Sequence, residues 1–430
     1  MYGVSRDLPL NYVTRREVDD KLLSSLEKGK HLVIFGSSKQ GKTSLRKYNL
    51  VSEDLVLVTC NNKWDLAELH GAILKRAGYE LQSSTTLTST GVSKSTAKLK
   101  GKLGISPAEF EVDLGDEATS EESTQQVYRT LEIDLNDVNE VINALEVSKA
   151  PRLICLEDFH YLPEETQDDF AVALKAFHED SDYTFIVVGV WKDENRLIQA
   201  NGDLNGRVIS IDADVWTEEN LRRVVEDGEA LLNIEFDEDF KTDLLNGCSG
   251  SVYVVQEACA AACERAGINS APLEKTKVGG NASSLIREVV NSDSARFVGF
   301  IRKMMEGFQE SQLEMYRWIL LAVVTAPLSK NSTGLTLSEI RNFLNAFHPD
   351  QPINAGNITQ ALKYVVSLQL NKKLKPIILD YDETTRRLHI VDQSFFIWLQ
   401  NQDRKVLVRD TDLGGEIEVA QLNAMLDFKW

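Results

Sequence analysis

Apolar residues in this chain fall into short unbroken runs in the first half and into helical spacing in the second. Leu32 to Phe35, Leu153 to Leu156 and "YTFIVVGVW" from Tyr183 to Trp191 show no helical period. Runs of that kind predict strands buried on both faces, as in a parallel sheet. From Thr217 the pattern turns helical. It continues through "EDFKTDLLNGCSG" and "SVYVVQEACAAACERAG", which predict a small helical lid. Further on, "LTLSEIRNFLNAF" carries a capping box of Thr336 and Glu339. "NITQALKYVVSLQL" sets Ile358, Ala361, Leu362, Val365 and Val366 on one helical face, with Asn357 and Gln360 as candidate caps. "PIILDYDETTRRLHIVD" reads as two strands around a turn. Helix, helix and two-stranded hairpin is the order of a winged helix. The aromatic stretch "SFFIWLQ" that follows must be buried.

Between the first two strands the chain is longer than a compact core needs, with 121 positions from Gly36 to Glu157. The surplus lies near 81–127. It opens with "SSTTLTSTGVSKST", which reads as a flexible linker. Leu99 and Leu103 then alternate with lysines, and Phe110, Val112 and Leu114 alternate with acids. This predicts a β-hairpin over Lys98 to Leu114 with Lys facing Asp/Glu across the strands. A solvated loop is the competing reading.

Composition narrows the class. The chain has 430 residues, enough for two or three domains, and 43% hydrophobic content. No apolar run reaches the ~18 residues a membrane helix needs, so no membrane partner is expected. Five cysteines show no CxxC pair and no metal spacing, which fits a reduced cytoplasmic protein. A net charge of −19 argues against a protein that coats DNA along its length. From Ser329 to Lys405, ten Lys/Arg against seven Asp/Glu leave a local +3. Lys372, Lys373, Lys375, Arg386 and Arg387 fall in that region.

The chemistry starts at "HLVIFGSSKQGKTSLRKYNL", His31 to Leu50. Gly36-x-x-x-x-Gly41-Lys42-Thr43 sits between a strand and a helix, the context in which this spacing binds phosphates. The candidate cofactor-binding residues are Gly36, Ser37, Ser38, Lys39, Gln40, Gly41, Lys42, Thr43 and Ser44. Backbone N–H groups at a helix N-terminus point at anions. Lys42 is expected to reach the β- and γ-phosphates of ATP, and the Thr43 hydroxyl to hold Mg²⁺. The acid partner is Glu157-Asp158, at the end of the next apolar run. By position Glu157 is the metal acid and Asp158 the catalytic acid. The usual order is Asp then Glu, so the roles stay open.

Three segments resemble a known family. "YVTRREVDDKLLSSLEKGKHLVIFGSSKQGKTSL" looks like the opening of prokaryotic AAA+/STAND-type P-loop ATPases. "LEDFHYL" resembles their "IDEFQYL" strand. "LHIVDQSFFIWLQ" resembles the end of their winged-helix domains, with Gln393 in place of proline. The resemblance brackets nearly the whole chain. It implies an α/β fold: a P-loop NTPase parallel sheet at 1–215 with the insertion, a helical lid and connector at 216–310, a winged-helix domain at 311–410, and a tail at 411–430. It implies a slow ATPase switch that controls assembly or partner engagement, in phage defence or another DNA-linked process. Rival readings are an ATP-bound nucleic-acid-binding regulator and a scaffold recruiting an effector. A homo-oligomer and a protein partner are expected, with possible DNA contact through the winged helix. In such proteins a polar sensor ends the third strand; here Lys192 and Asn195 are weak substitutes. Arg207 stands where they carry a catalytic arginine finger for a neighbouring subunit. The plain alternative is a surface arginine bridging to Asp203 or Asp212. The lid arginine of origin-recognition relatives is missing, since Gly250 is followed by Ser251-Val252-Tyr253.

Overall fold

In a computed structural model, the structure describes residues 2–3, 5–78, 80–87, 93–100, 130–308 and 313–430, with backbone alone for 80–87, 93–100 and 130–132. The apolar runs form a five-stranded parallel sheet. Its order is Leu55–Thr59, Leu153–Glu157, Thr184–Val188, His31–Phe35, Val208–Asp212. Both faces are covered, which explains why the runs do not alternate. Along His31–Phe35, Leu32 and Ile34 pack into one layer with Leu45 and Ile211. Val33 and Phe35 pack into the other with Phe170 and Phe185.

The lid comprises helices Glu218–Leu232, Glu238–Gly247, Val252–Arg265, Ala282–Asn291 and Ser294–Met305, with a parallel pair Ile234–Phe236 and Thr276–Val278. Beyond it, helices Met315–Thr325, Leu337–Phe347, Ala355–Lys363 and Val365–Asn371 pack with antiparallel strands Leu335–Thr336, Leu379–Asp382 and Arg387–Ile390. Lid and C-terminal region share one continuous apolar core. Phe395 and Trp398 are fully buried in it, against Phe297 of the Ser294–Met305 helix. The chain end joins the same core, with Trp430 stacked on Phe343 at 5.2 Å.

The capping box of Thr336 and Glu339 forms, with both reciprocal bonds made. The next helix begins earlier than its apolar face suggests. Asn354 caps it by accepting from the Gly356 N–H, so Asn357 and Gln360 lie inside the helix.

The inserted segment differs from its expectation. Glu80–Leu87 and Ser93–Lys100 pair antiparallel, and Ser93–Lys100 also pairs with Thr130–Asp134. The Ser/Thr-rich stretch is thus largely strand rather than linker; threonine favours a pleated surface even where apolar alternation is lacking. Lys98 is in backbone register with Gln82 of one neighbouring strand and Glu132 of the other. The second strand expected for the hairpin, Phe110 to Leu114, lies outside the described residues. Among the described residues no helix is long and apolar enough to cross a membrane, and all five cysteines are free and buried.

Candidate nucleotide-binding site

The strand His31–Phe35 ends at the crevice where ligands of open parallel sheets sit, outside the carboxyl ends of the strands. Gly36 to Gly41 loop over this edge into the helix Lys42–Asn49. Gly41 caps that helix at φ 84°, a conformation that favours glycine. At Gly36 a Cβ would lie 2.8 Å from Asp214 Oδ1, so the loop passes close to a carboxylate. Lys42 is buried, and its ammonium donates to the Gly36 and Ser37 carbonyls at 3.0 and 2.5 Å. Burial pulls its pKa down to about 8, with Asp214 opposing the shift.

A cavity of about 340 Å³ opens over the loop, within the usual size for a small-molecule site. Ser38 to Ser44 form its floor, and Asp158, Val190, Tyr12, Trp216 and Tyr253 contribute walls. The opening turn of the Lys42–Asn49 helix has N–H groups without intrahelical partners. Thr43 is exposed and lines the cavity together with Asp158. A donor-rich loop, a buried cation, a hydroxyl and a carboxylate on one cavity fit a nucleoside triphosphate with Mg²⁺.

The two acids occupy different surroundings. Glu157 ends its strand, and its Oε1 accepts from Arg46 Nε at 2.7 Å, with both side chains largely buried. Asp158 turns into the left-handed region at φ 59° and lines the cavity. Burial, then the neighbouring Glu157, raises its pKa, while Lys42 and Lys375 oppose.

The sequence reading missed Asp214. Its carboxylate accepts from the Ser37 N–H at 2.7 Å and the Ser37 hydroxyl at 2.8 Å, and pairs with Lys192. Lys192 thereby reaches the loop through Asp214. The Asn195 N–H donates to Asp193 at 2.8 Å. The available signal was the acid repeat "DAD" directly after a strand, Asp212 to Asp214. Arg207 lies at the other end of the sheet, where its carbonyl accepts from the His31 N–H. Its guanidinium pairs with Glu179 at 2.6 Å and donates to the Asp203 carbonyl. Lys175, not Arg207, holds the Asp203 carboxylate.

Loop residues also grip the lid and the C-terminal region. Gln40 donates to the Gly250 carbonyl at 3.3 Å and accepts from the Val252 N–H at 3.4 Å. Lys39 sits 3.8 Å over the Tyr253 ring. Ser38 pairs as a parallel bridge with Asp392, and its N–H donates to the Val391 carbonyl at 2.9 Å. Arg296 joins Asp392 to Asp293 at 2.9 and 3.2 Å, and Asp293 meets Lys39 at 3.3 Å. No hydrogen bond or ion pair of this network was legible from spacing.

Strand order, loop and cavity together give a P-loop ATPase fold. Among solved structures, the chain is similar to the Walker-type ATPase PABY2304 of Pyrococcus abyssi, with TM-score 0.53, 12% identity, and coverage of 92% of this chain and 99% of that one. Looser matches are Orc1 of Aeropyrum pernix in complex with DNA (TM-score 0.42, 11% identity, 96% of each chain) and the RuvB Holliday junction branch migration motor of Thermotoga maritima (0.36, 13%, 90% and 95%). At these identities the likeness is one of fold. No protein-family model and no curated protein matches the sequence.

Proposed function

We propose that this chain binds ATP with Mg²⁺, hydrolyses it slowly, and uses the nucleotide state to set how its lid and C-terminal region are seated. The observation that carries this reading is the position of Ser38 to Gln40. One phosphate-loop segment touches the cavity, the lid through Gln40 and the C-terminal region through Ser38. Binding energy spent on the loop is therefore felt by two other parts of the fold.

ATP supplies the phosphoryl group. Lys42 would place a positive charge on its phosphates, the loop N–H groups would hold them, and Thr43 with Asp158 on the same cavity would face Mg²⁺. Beyond the strand Thr184–Val188 the residue that lines the cavity is Val190, an apolar side chain that cannot orient water, which supports a low rate. We read 311–410 as a winged helix used first for docking. Lys372 is paired with Glu306 and Lys363 with Glu383. Arg387 donates to the Gly334 carbonyl. Cations engaged in this way are less available to a DNA backbone. The output is a change of assembly or of a protein partner, in phage defence or another DNA-linked process.

Calorimetry of ATP on the wild type and on Lys42→Ala tests the core of this reading. Loss of the charge-assisted contacts should weaken ATP by about 100-fold. Equal affinity in the two proteins refutes the site. Light scattering with and without ATP and Mg²⁺ then reports assembly.

A further inference from the structure

We propose that Arg46 fixes an unequal division between the two adjacent acids: Glu157 holds Arg46 and stays outside the metal shell, while Asp158 alone faces the Mg²⁺–phosphate complex. This rests on the ATP-binding reading and takes from Glu157 the metal role that position along the strand assigns, leaving both roles to Asp158.

Three observations carry it. First, Arg46 lies one turn beyond Lys42 on the same helix, and its side chain is 5% exposed. The Glu157 carboxylate, 18% exposed, is its ion-pair partner at 2.7 Å. A metal drawing on Glu157 would have to share a carboxylate that already neutralises a largely buried cation through Oε1. Second, a guanidinium kept beside the metal shell would repel Mg²⁺, so the pair and the metal compete for one carboxylate. Third, the chain turns immediately after Glu157. Asp158 adopts φ 59° and ψ 30°, and this residue lines the cavity with Lys42 and Thr43. Glu157 is not among the residues that line that cavity. Aspartate tolerates the left-handed region better than most residues. The reversed order Glu-Asp thus puts an acid that accepts this turn where the cavity needs a carboxylate.

Glu157 is then a positioning residue: it anchors the helix that carries Lys42 and Thr43 to the end of a sheet strand. Asp158, which lines the cavity, would face the metal shell and the attacking water.

The test uses the full chain with Mn²⁺ and ADP, reading Mn²⁺ binding by electron paramagnetic resonance and ADP affinity by calorimetry with and without the metal. Replacing the ion pair as a unit, Arg46→Met with Glu157→Met, avoids stranding a buried charge. Mn²⁺ should still tighten ADP in this double variant to within about twofold of the wild type. Asp158→Asn should lose about tenfold or more of that metal effect, the range seen when groups around a metal are removed. If the double variant does not fold by circular dichroism, Glu157→Gln, which keeps an acceptor for Arg46, takes its place with the same expectation. Loss of the Mn²⁺ effect in the Glu157 variant, or its retention in Asp158→Asn, overturns the assignment. A wild-type chain that binds ADP neither with nor without the metal refutes the nucleotide reading itself, a result that no comparison of variants would mimic.

Discussion

The Ser38 N–H donates to the Val391 carbonyl at 2.9 Å, so the phosphate loop shares a backbone hydrogen bond with the residue that follows the Arg387–Ile390 strand. Around it, Arg296 links Asp392 to Asp293, which meets Lys39. Asp392 is 1% exposed and also caps the following helix by accepting from the Phe395 N–H. Asp392→Asn keeps an acceptor for that cap and drops the charge. Arg296 loses its buried partner, and the bond from Ser38 to Val391 should open more often. Hydrogen exchange should show the Ser38 amide about tenfold faster, equivalent to roughly 1.4 kcal/mol of lost protection. An unchanged Ser38 amide would show that the ion network does not hold the loop.

Arg207 gives a test of assembly. Within its own chain it is a strand length from the phosphate loop and paired with Glu179. Any catalytic role must therefore be played on a neighbouring subunit. Mixing Arg207→Ala with Lys42→Ala protein should restore part of the ATPase activity, because each chain supplies the half-site that the other lacks. Mixed oligomers without recovered activity would leave Arg207 as a sheet-edge ion pair worth ~0–1 kcal/mol.

What was legible in the sequence follows the range of the interactions involved. Leu32 to Phe35, Leu153 to Leu156 and Tyr183 to Trp191 declared themselves because strands buried on both faces leave no room for polar positions. The loop spacing did so because anion binding by backbone N–H groups needs glycine at set places. The burial of Phe395 and Trp398 was forced by their area. Asp214, Arg46 and Val391 were not legible. Each acts on a residue far away in the chain, through a contact created by strand order. Single charged residues carry no period, and a carbonyl carries no side-chain signature at all. The Ser/Thr-rich stretch after Leu81 misled for a related reason: linkers and edge-type strands draw on the same residues, and pairing with Thr130–Asp134 is decided at long range.

Acid should destabilise the fold through histidines buried in neutral form. His31 accepts from the Phe185 N–H at Nδ1 and donates from Nε2 to the Leu174 carbonyl, both at 3.0 Å. A second ring proton would face a donor, and the adjacent His178 opposes a charge as well. Burial lowers His31 to about 4. His70, buried with Nδ1 on the Leu135 carbonyl at 2.8 Å, is likewise pushed down to about 4. In the unfolded chain both titrate near 6.5. Below that pH the unfolded state takes up protons that the folded state refuses, so stability is full above about 6.5 and is lost as pH falls toward 4. Each histidine contributes a slope of up to ~1.4 kcal/mol per pH unit in that window, or roughly 3 kcal/mol across it. Urea unfolding between pH 7.5 and 5 measures the slope. His70→Leu should be less stable than the wild type at pH 7.5, having lost the bond to Leu135. It should then lose less stability on acidification, by one histidine's share. Identical slopes in the two proteins would mean that His70 takes up its proton as readily in the folded state as in the unfolded one.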